Sequence, residues 1–215
     1  MEQFQFALFD FDGTLVDSQW AWQTMLPRVM KERYGITVPE EEIEELLDID
    51  WLERHEEYCR RYGIPPLYGH YSEFFPYMDR FYQNEVFFKP GAEEYLRALK
   101  GQGVTLAILS ATPTALIRHG LRRLEAEDLF DFVFSVREIG VSKSKPGSFE
   151  YCLNAMGATP ENTVLFEDAL YSMTTAKGMG MTVYAVSERC SRRDREKILA
   201  LADRYARNMT EFLEK

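Results

Sequence analysis

Five short apolar runs separated by stretches of helical spacing constrain the fold of this 215-residue chain more than any other feature of its sequence. Phe4 to Phe9 stops at Asp10, with the turn formers Asp12 and Gly13 just beyond, which reads as a buried strand running into a loop. Val104 to Leu109 stops at Ser110, Thr163 to Phe166 stops at Glu167 and Asp168, and Phe132 to Val136 and Thr182 to Val186 complete the set. Between them lie amphipathic stretches such as Ala92 to Lys100, apolar at Ala92, Tyr95, Leu96 and Leu99, and Ser148 to Met156, apolar at Phe149, Cys152, Leu153 and Met156. Strands apolar along their whole length, alternating with helices, predict an α/β fold: a parallel sheet buried under helices on both faces.

The segment from about Gln19 to Phe87 breaks this rhythm. It holds no convincing buried strand and carries Glu, Arg, Tyr and Trp at helical spacing, so it reads as an inserted helical domain. Pro39 ahead of Glu40, Glu41 and Glu42 suits a helix start, where proline fits the first turn and carboxylates meet the positive end of the dipole. The acidic run is then a solvated helix face. Pro65-Pro66 marks a break between helices, and Lys89-Pro90-Gly91 marks the return to the α/β core. Near the end, the basic stretch Arg189 to Asp194 and the pattern Ile198, Leu199, Leu201, Ala202 read as a surface helix rather than an anion site.

A formal net charge of −10 disfavours nucleic acid, and any phosphate this chain binds must meet a local positive site. No apolar run approaches the roughly 20 residues that span a bilayer, so a soluble cytoplasmic protein without a membrane partner is expected. Cys59, Cys152 and Cys190 are odd in number and lack C-x-x-C spacing, which fits reduced, packed thiols.

The chemistry gathers at Asp10-Phe11-Asp12-Gly13-Thr14-Leu15-Val16-Asp17-Ser18. Ligands of an open parallel sheet bind beyond the carboxyl ends of the strands. Two carboxylates two residues apart repel each other unless a cation sits beside them, and hard oxygen donors suit magnesium. Gly13 lets the backbone approach a bound anion. Taken alone, Asp-x-Asp-Gly is also an ordinary turn after a strand. The full string resembles the first motif of the haloacid dehalogenase superfamily, in the subgroup of phosphoglycolate phosphatases and β-phosphoglucomutases. The resemblance implies a Rossmann-like core, residues 1–15 and 88–215, with an inserted helical cap over residues 16–87.

It also implies three further motifs, and candidates stand in the required order. Ser110 closes its apolar run as the second motif's hydroxyl, which with the backbone N–H of Ala111 would bind phosphoryl oxygens. Glu167-Asp168 matches the fourth motif, Asp168 as a metal ligand and Glu167 as the residue that orients the ligands. For the third motif, a phosphate-binding lysine, Lys143-Ser144-Lys145-Pro146 offers two candidates. The Lys-Pro dipeptide points to Lys145. Spacing from Glu138-Ile139-Gly140 and onward to Pro146, Phe149, Met156-Gly157 and Asp168 points to Lys143 and favours it. Ser144, Ala169 and Ser172 depart from the family pattern, where Pro, Ser and Gly are usual.

The implied activity is hydrolysis of a small phosphate monoester. Asp10 would be the nucleophile, forming an aspartyl phosphate, and Asp12 the acid and base. Mg2+ would be held by Asp10, the Asp12 backbone carbonyl and Asp168, with Ser110, Ala111 and Lys143 on the phosphate. Dehalogenase and phosphonatase chemistry are disfavoured because those relatives lack an acid at the position of Asp12. A phosphosugar mutase is the nearest rival. Trp22, however, occupies the position where the β-phosphoglucomutase type places a cap histidine. A non-catalytic binding protein on the same fold is the third reading, against which Asp10, Asp12 and Asp168 are all retained. The cap residues that merit testing for specificity are Trp20, Trp22, Arg28, Arg54, His55 and His70.

Overall fold

The computed structural model describes residues 4–46, 51–65 and 71–213, and of 44–46, 51–55 and 71–73 the backbone alone. The chain forms two compact units, Met1–Asp17 with Val86–Lys215, and Ser18–Glu85.

The first unit is built on a six-stranded, wholly parallel sheet. Its strands are β1 (Phe6–Phe9), β2 (Thr105–Ser110), β3 (Phe132–Ser135), β4 (Thr163–Glu167), β5 (Thr182–Val186) and β6 (Arg204–Ala206), in the spatial order β3-β2-β1-β4-β5-β6. The first five are the apolar runs of the sequence. The sixth, an edge strand of three residues, is too short to show a period and was not expected. Successive side chains of a strand face opposite ways, so each strand feeds two cores. Leu8, Ala107, Leu109, Leu165, Val183 and Ala185 line one face, packed with Phe149, Cys152, Met173, Ala176 and Ile198 from the helices that follow. On the other face Phe9 stacks on Phe166 at 4.4 Å between ring centroids, and Tyr95 and Phe212 meet Phe166 edge-on. The sheet is therefore helix-covered on both faces, as the alternation predicts.

The helices of this unit obey local rules. The helix Ala92–Gly101 buries Ala92, Tyr95, Leu96 and Leu99, places Glu93 and Glu94 in its first turn and Lys100 in its last, and so agrees with its own dipole. Gly91, ahead of it, has a positive φ of 78°, and a Cβ there would come within 2.3 Å of the Thr210 backbone nitrogen. The helix Pro146–Met156 starts on proline and ends at Gly157 in the left-handed conformation, whose N–H reaches the Asn154 and Leu153 carbonyls.

Among its described residues the second unit contains four helices, Gln19–Tyr34, Glu40–Leu46, Trp51–Tyr62 and Tyr71–Asn84. The second of these begins directly after Pro39, whose carbonyl accepts from the N–H groups of Glu42 and Ile43. Its core includes Met25, Leu26, Val29, Met30, Tyr58, Phe74, Met78, Phe81 and Tyr82. Among the described residues no helix is long and apolar enough to cross a membrane. Cys59 and Cys152 are buried and Cys190 is half-buried.

Candidate active site

The strand order fixes where a site can form. From β1 the chain steps outward to β2 and β3, then returns to place β4 on the other side of β1, so β1 and β4 flank the point where the winding reverses. Such a point leaves a crevice beyond the carboxyl ends of the strands. Asp10 leaves β1 at that crevice, its N–H donating to the Phe166 carbonyl at 2.9 Å, and Glu167 and Asp168 leave β4 beside it.

Carboxylate oxygens of Asp10, Glu167 and Asp168 lie within 4.8 Å of one another, and all three residues are buried. Lys143, only 3% exposed, sits among them and donates from Nζ to Asp10 Oδ1 at 2.6 Å and to Glu167 Oε2 at 2.8 Å. One ammonium faces three carboxylates, and the protonation equilibria reflect the imbalance. Burial, then the Glu167 charge, pushes the Asp10 carboxyl up to about 8 against the pull of Lys143. Burial, then Glu167 and Asp10, holds Asp168 well above the usual carboxylate range, with Glu188 contributing. For Lys143 burial opposes the charge, but Asp10 and Glu167 outweigh it and keep the ammonium protonated far into alkali. Three buried oxygen donors that cannot all ionise beside a single lysine are a donor set suited to a hard divalent cation.

Asp12 Oδ2 accepts from Thr112 Oγ1 at 2.6 Å and from Ser110 Oγ at 3.5 Å, and its charge is among those that raise the Asp10 carboxyl. The loop that carries Asp10 and Asp12 is closed by Gly13, at a φ of 86°, whose N–H donates to the Val16 carbonyl, while the Leu15 and Val16 N–H groups return to the Phe11 carbonyl. Ser110 is buried at the end of β2, and the Ala111 carbonyl accepts from Arg137 Nε. Lys145, in contrast to Lys143, is exposed at the start of its helix.

Several polar partners take roles that the sequence did not indicate. Thr112 holds Asp12, Thr14 donates to Asp168 Oδ1 at 3.2 Å, and Ser172 donates to Glu167 Oε2 at 2.7 Å. Glu167 Oε1 also accepts the N–H groups of Asp168 and Ala169. Lys89, expected only to mark a boundary, is buried with its ammonium on the Gly13 carbonyl, the Ser187 carbonyl and Glu188. In the helical unit Trp22 donates from its indole to the Tyr82 hydroxyl at 3.0 Å, Trp20 meets Phe81 edge-on and Arg28 is exposed. Of Arg54 and His55 only the backbone is described, and His70 lies outside the described residues.

A family model described as haloacid dehalogenase-like hydrolase matches residues 7–186. The chain belongs to that family. A phosphorylated carbohydrates phosphatase of Thermotoga maritima is 26% identical over 190 residues, covering 83% of each chain. Among solved structures, a predicted phosphoglycolate phosphatase from Haemophilus somnus superposes with a TM-score of 0.81 at 19% identity, over 100% of this chain and 98% of its own. The β-phosphoglucomutase of Clostridium difficile gives 0.72 at 20% identity, over 97% and 92%. At these identities the structures establish the haloacid dehalogenase-like fold.

Proposed function

We propose that this member of the family is a magnesium-dependent phosphatase that hydrolyses a small phosphate monoester through an aspartyl phosphate on Asp10. Family membership and the phosphatase named among its relatives make it a phosphoric monoester hydrolase. The observation that carries the finer reading is the buried group in which Lys143 bridges Asp10 and Glu167 beside Asp168, at the mouth of the sheet.

Asp10, Asp168 and the Asp12 backbone carbonyl would hold the cation, which when bound would offset charge on the transferring phosphoryl group. Asp10 attacks phosphorus with its free oxygen while the other stays on Lys143. Asp12, oriented by Thr112 and Ser110, gives a proton to the departing alkoxide and later takes one from the water that cleaves the acyl phosphate. Ser110, the Ala111 N–H and Lys143 serve the phosphoryl oxygens. The unit of residues 18–85 is the cap, and it carries substrate specificity.

The test is phosphate release from p-nitrophenyl phosphate and from a panel of phosphorylated metabolites, with and without Mg2+, by the wild type and Asp10→Asn. Metal-dependent release lost in the variant supports the reading. Absence of release from every compound would favour a non-catalytic binding protein. Conversion of β-glucose 1-phosphate to the 6-phosphate without free phosphate would instead make the chain a mutase.

A further inference from the structure

Lys89 spends all three of its ammonium protons inside the protein: on the Gly13 carbonyl at 2.7 Å, the Ser187 carbonyl at 2.8 Å and Glu188 Oε2 at 2.7 Å. It is 9% exposed, and burying so well-hydrated a charge is costly unless its partners repay the cost. A residue serving only to return the chain to the core would need none of this. The three acceptors belong to two segments at the same end of the sheet. Gly13 closes the loop that carries Asp10 and Asp12, and Ser187 and Glu188 begin the loop after β5. Lys89 is itself fixed by its backbone, whose N–H donates to the Leu15 carbonyl, next to the antiparallel bridge between Val16 and Phe88. Side chain and backbone of one residue thus grip the Asp10–Asp12 loop at two carbonyls, Gly13 and Leu15.

The second segment reaches the acidic group itself: Ser191, three residues beyond Glu188, donates to Asp168 Oδ2 at 3.5 Å. Pairing with Lys89 offsets the Glu188 charge and fixes where that carboxylate lies.

We infer that Lys89 is a positioning residue, a clamp that locks the Asp10–Asp12 loop to the loop after β5. The inference rests on the phosphatase reading for its catalytic consequence, but the clamp can be tested without turnover. Lys89→Met leaves the half-buried Glu188 without its cation, so the decisive variant is the charge-balanced pair Lys89→Met with Glu188→Gln. Hydrogen exchange is read at the Gly13, Leu15 and Val16 amides, which are hydrogen-bonded within the loop. We expect these amides to exchange at least about tenfold faster in the double variant while the amides of β1 and β4 keep their wild-type rates. Unchanged loop exchange overturns the clamp whether or not the wild type turns over any phosphate ester. In an active enzyme the same variant is expected to lose about tenfold or more in kcat with KM within about twofold, the pattern of a group misplaced for the chemical step. Wild-type kcat with faster loop exchange would reduce Lys89 to a structural tie. Failure of the wild type on every phosphate ester, with loop exchange responding as expected, would reject the phosphatase reading and leave the clamp standing.

Discussion

Lys143 Nζ lies 2.6 Å from Asp10 Oδ1 and shares its charge with Glu167, so the proposed nucleophile and its positive partner are already joined before any substrate arrives. Lys145, two residues on, is exposed. Lys143→Ala should therefore lower kcat by about 10²–10³-fold, the usual cost of removing one aimed electrostatic group. Lys145→Ala should stay within about twofold. Because Lys143→Ala leaves buried carboxylates unpaired, its thermal unfolding is measured alongside, and a midpoint well below that of the wild type is expected. Loss of activity in Lys145→Ala alone would reverse the assignment.

The pH dependence follows from Asp10. Its carboxyl is raised from 3.8 to about 8, first by burial and then by Glu167, so across that interval the folded protein holds a proton that the unfolded chain has released. The associated stability is present in full below the unfolded value, falls as pH rises, and stops falling above about 8. A cation at this group must displace that proton. Mg2+ affinity should then climb by up to about tenfold per pH unit below pH 8 and flatten above it. Calorimetry in buffers of different ionisation enthalpy would show the proton released. A Mg2+ affinity independent of pH from about 5.5 to 8.5 would contradict the assignment of Asp10 as a ligand.

The parts of this molecule that the sequence reveals are those with a repeating physical signature. Strands buried on both faces must be apolar throughout, so Leu8, Ala107, Leu165 and Val183 announce themselves, and the polar residue that ends each run marks the mouth of the sheet. Asp10, Ser110 and Glu167 are visible for that reason. The edge strand Arg204–Ala206 has no such signature, since two half-buried residues and one buried alanine fit a loop equally well. The roles of Thr112, Ser172 and Lys89 were illegible for a different reason. Each acts through one hydrogen-bonding head aimed across space, on Asp12, Glu167 and Gly13 respectively, and no local spacing encodes an aim. The choice between Lys143 and Lys145 lay between the two cases: spacing favoured the one that the fold buries, while the adjacent proline favoured the other.

Thr112 gives the sharpest test of orientation. Its hydroxyl donates to Asp12 Oδ2 at 2.6 Å, much closer than Ser110 at 3.5 Å, and its own N–H is held by Ser110 Oγ at 3.1 Å. Thr112→Val removes the donor with little change of shape. With its main donor gone Asp12 loses its aim, and kcat should fall by about tenfold with KM nearly constant. A wild-type kcat in Thr112→Val would separate Thr112 from Asp12.

Phe166 joins the stability of the sheet to the geometry of the site. Its ring stacks on Phe9 and meets Tyr95, Tyr184 and Phe212 edge-on, and its carbonyl holds the Asp10 N–H, one residue before Glu167. Truncation to alanine opens a cavity in the core, at a cost of about 3–5 kcal/mol. For a chain of this size that lowers the unfolding midpoint by about 6–20 °C. Phe166→Leu retains most of the volume and should cost roughly half as much or less. The backbone bond to Asp10 does not depend on the ring, so Phe166→Leu should keep kcat within about threefold well below its own midpoint. A Phe166→Leu protein that is stable but inactive would mean that the aromatic stack itself sets the spacing of Asp10 and Glu167, and a crystal structure of that variant would show the two carboxylates displaced.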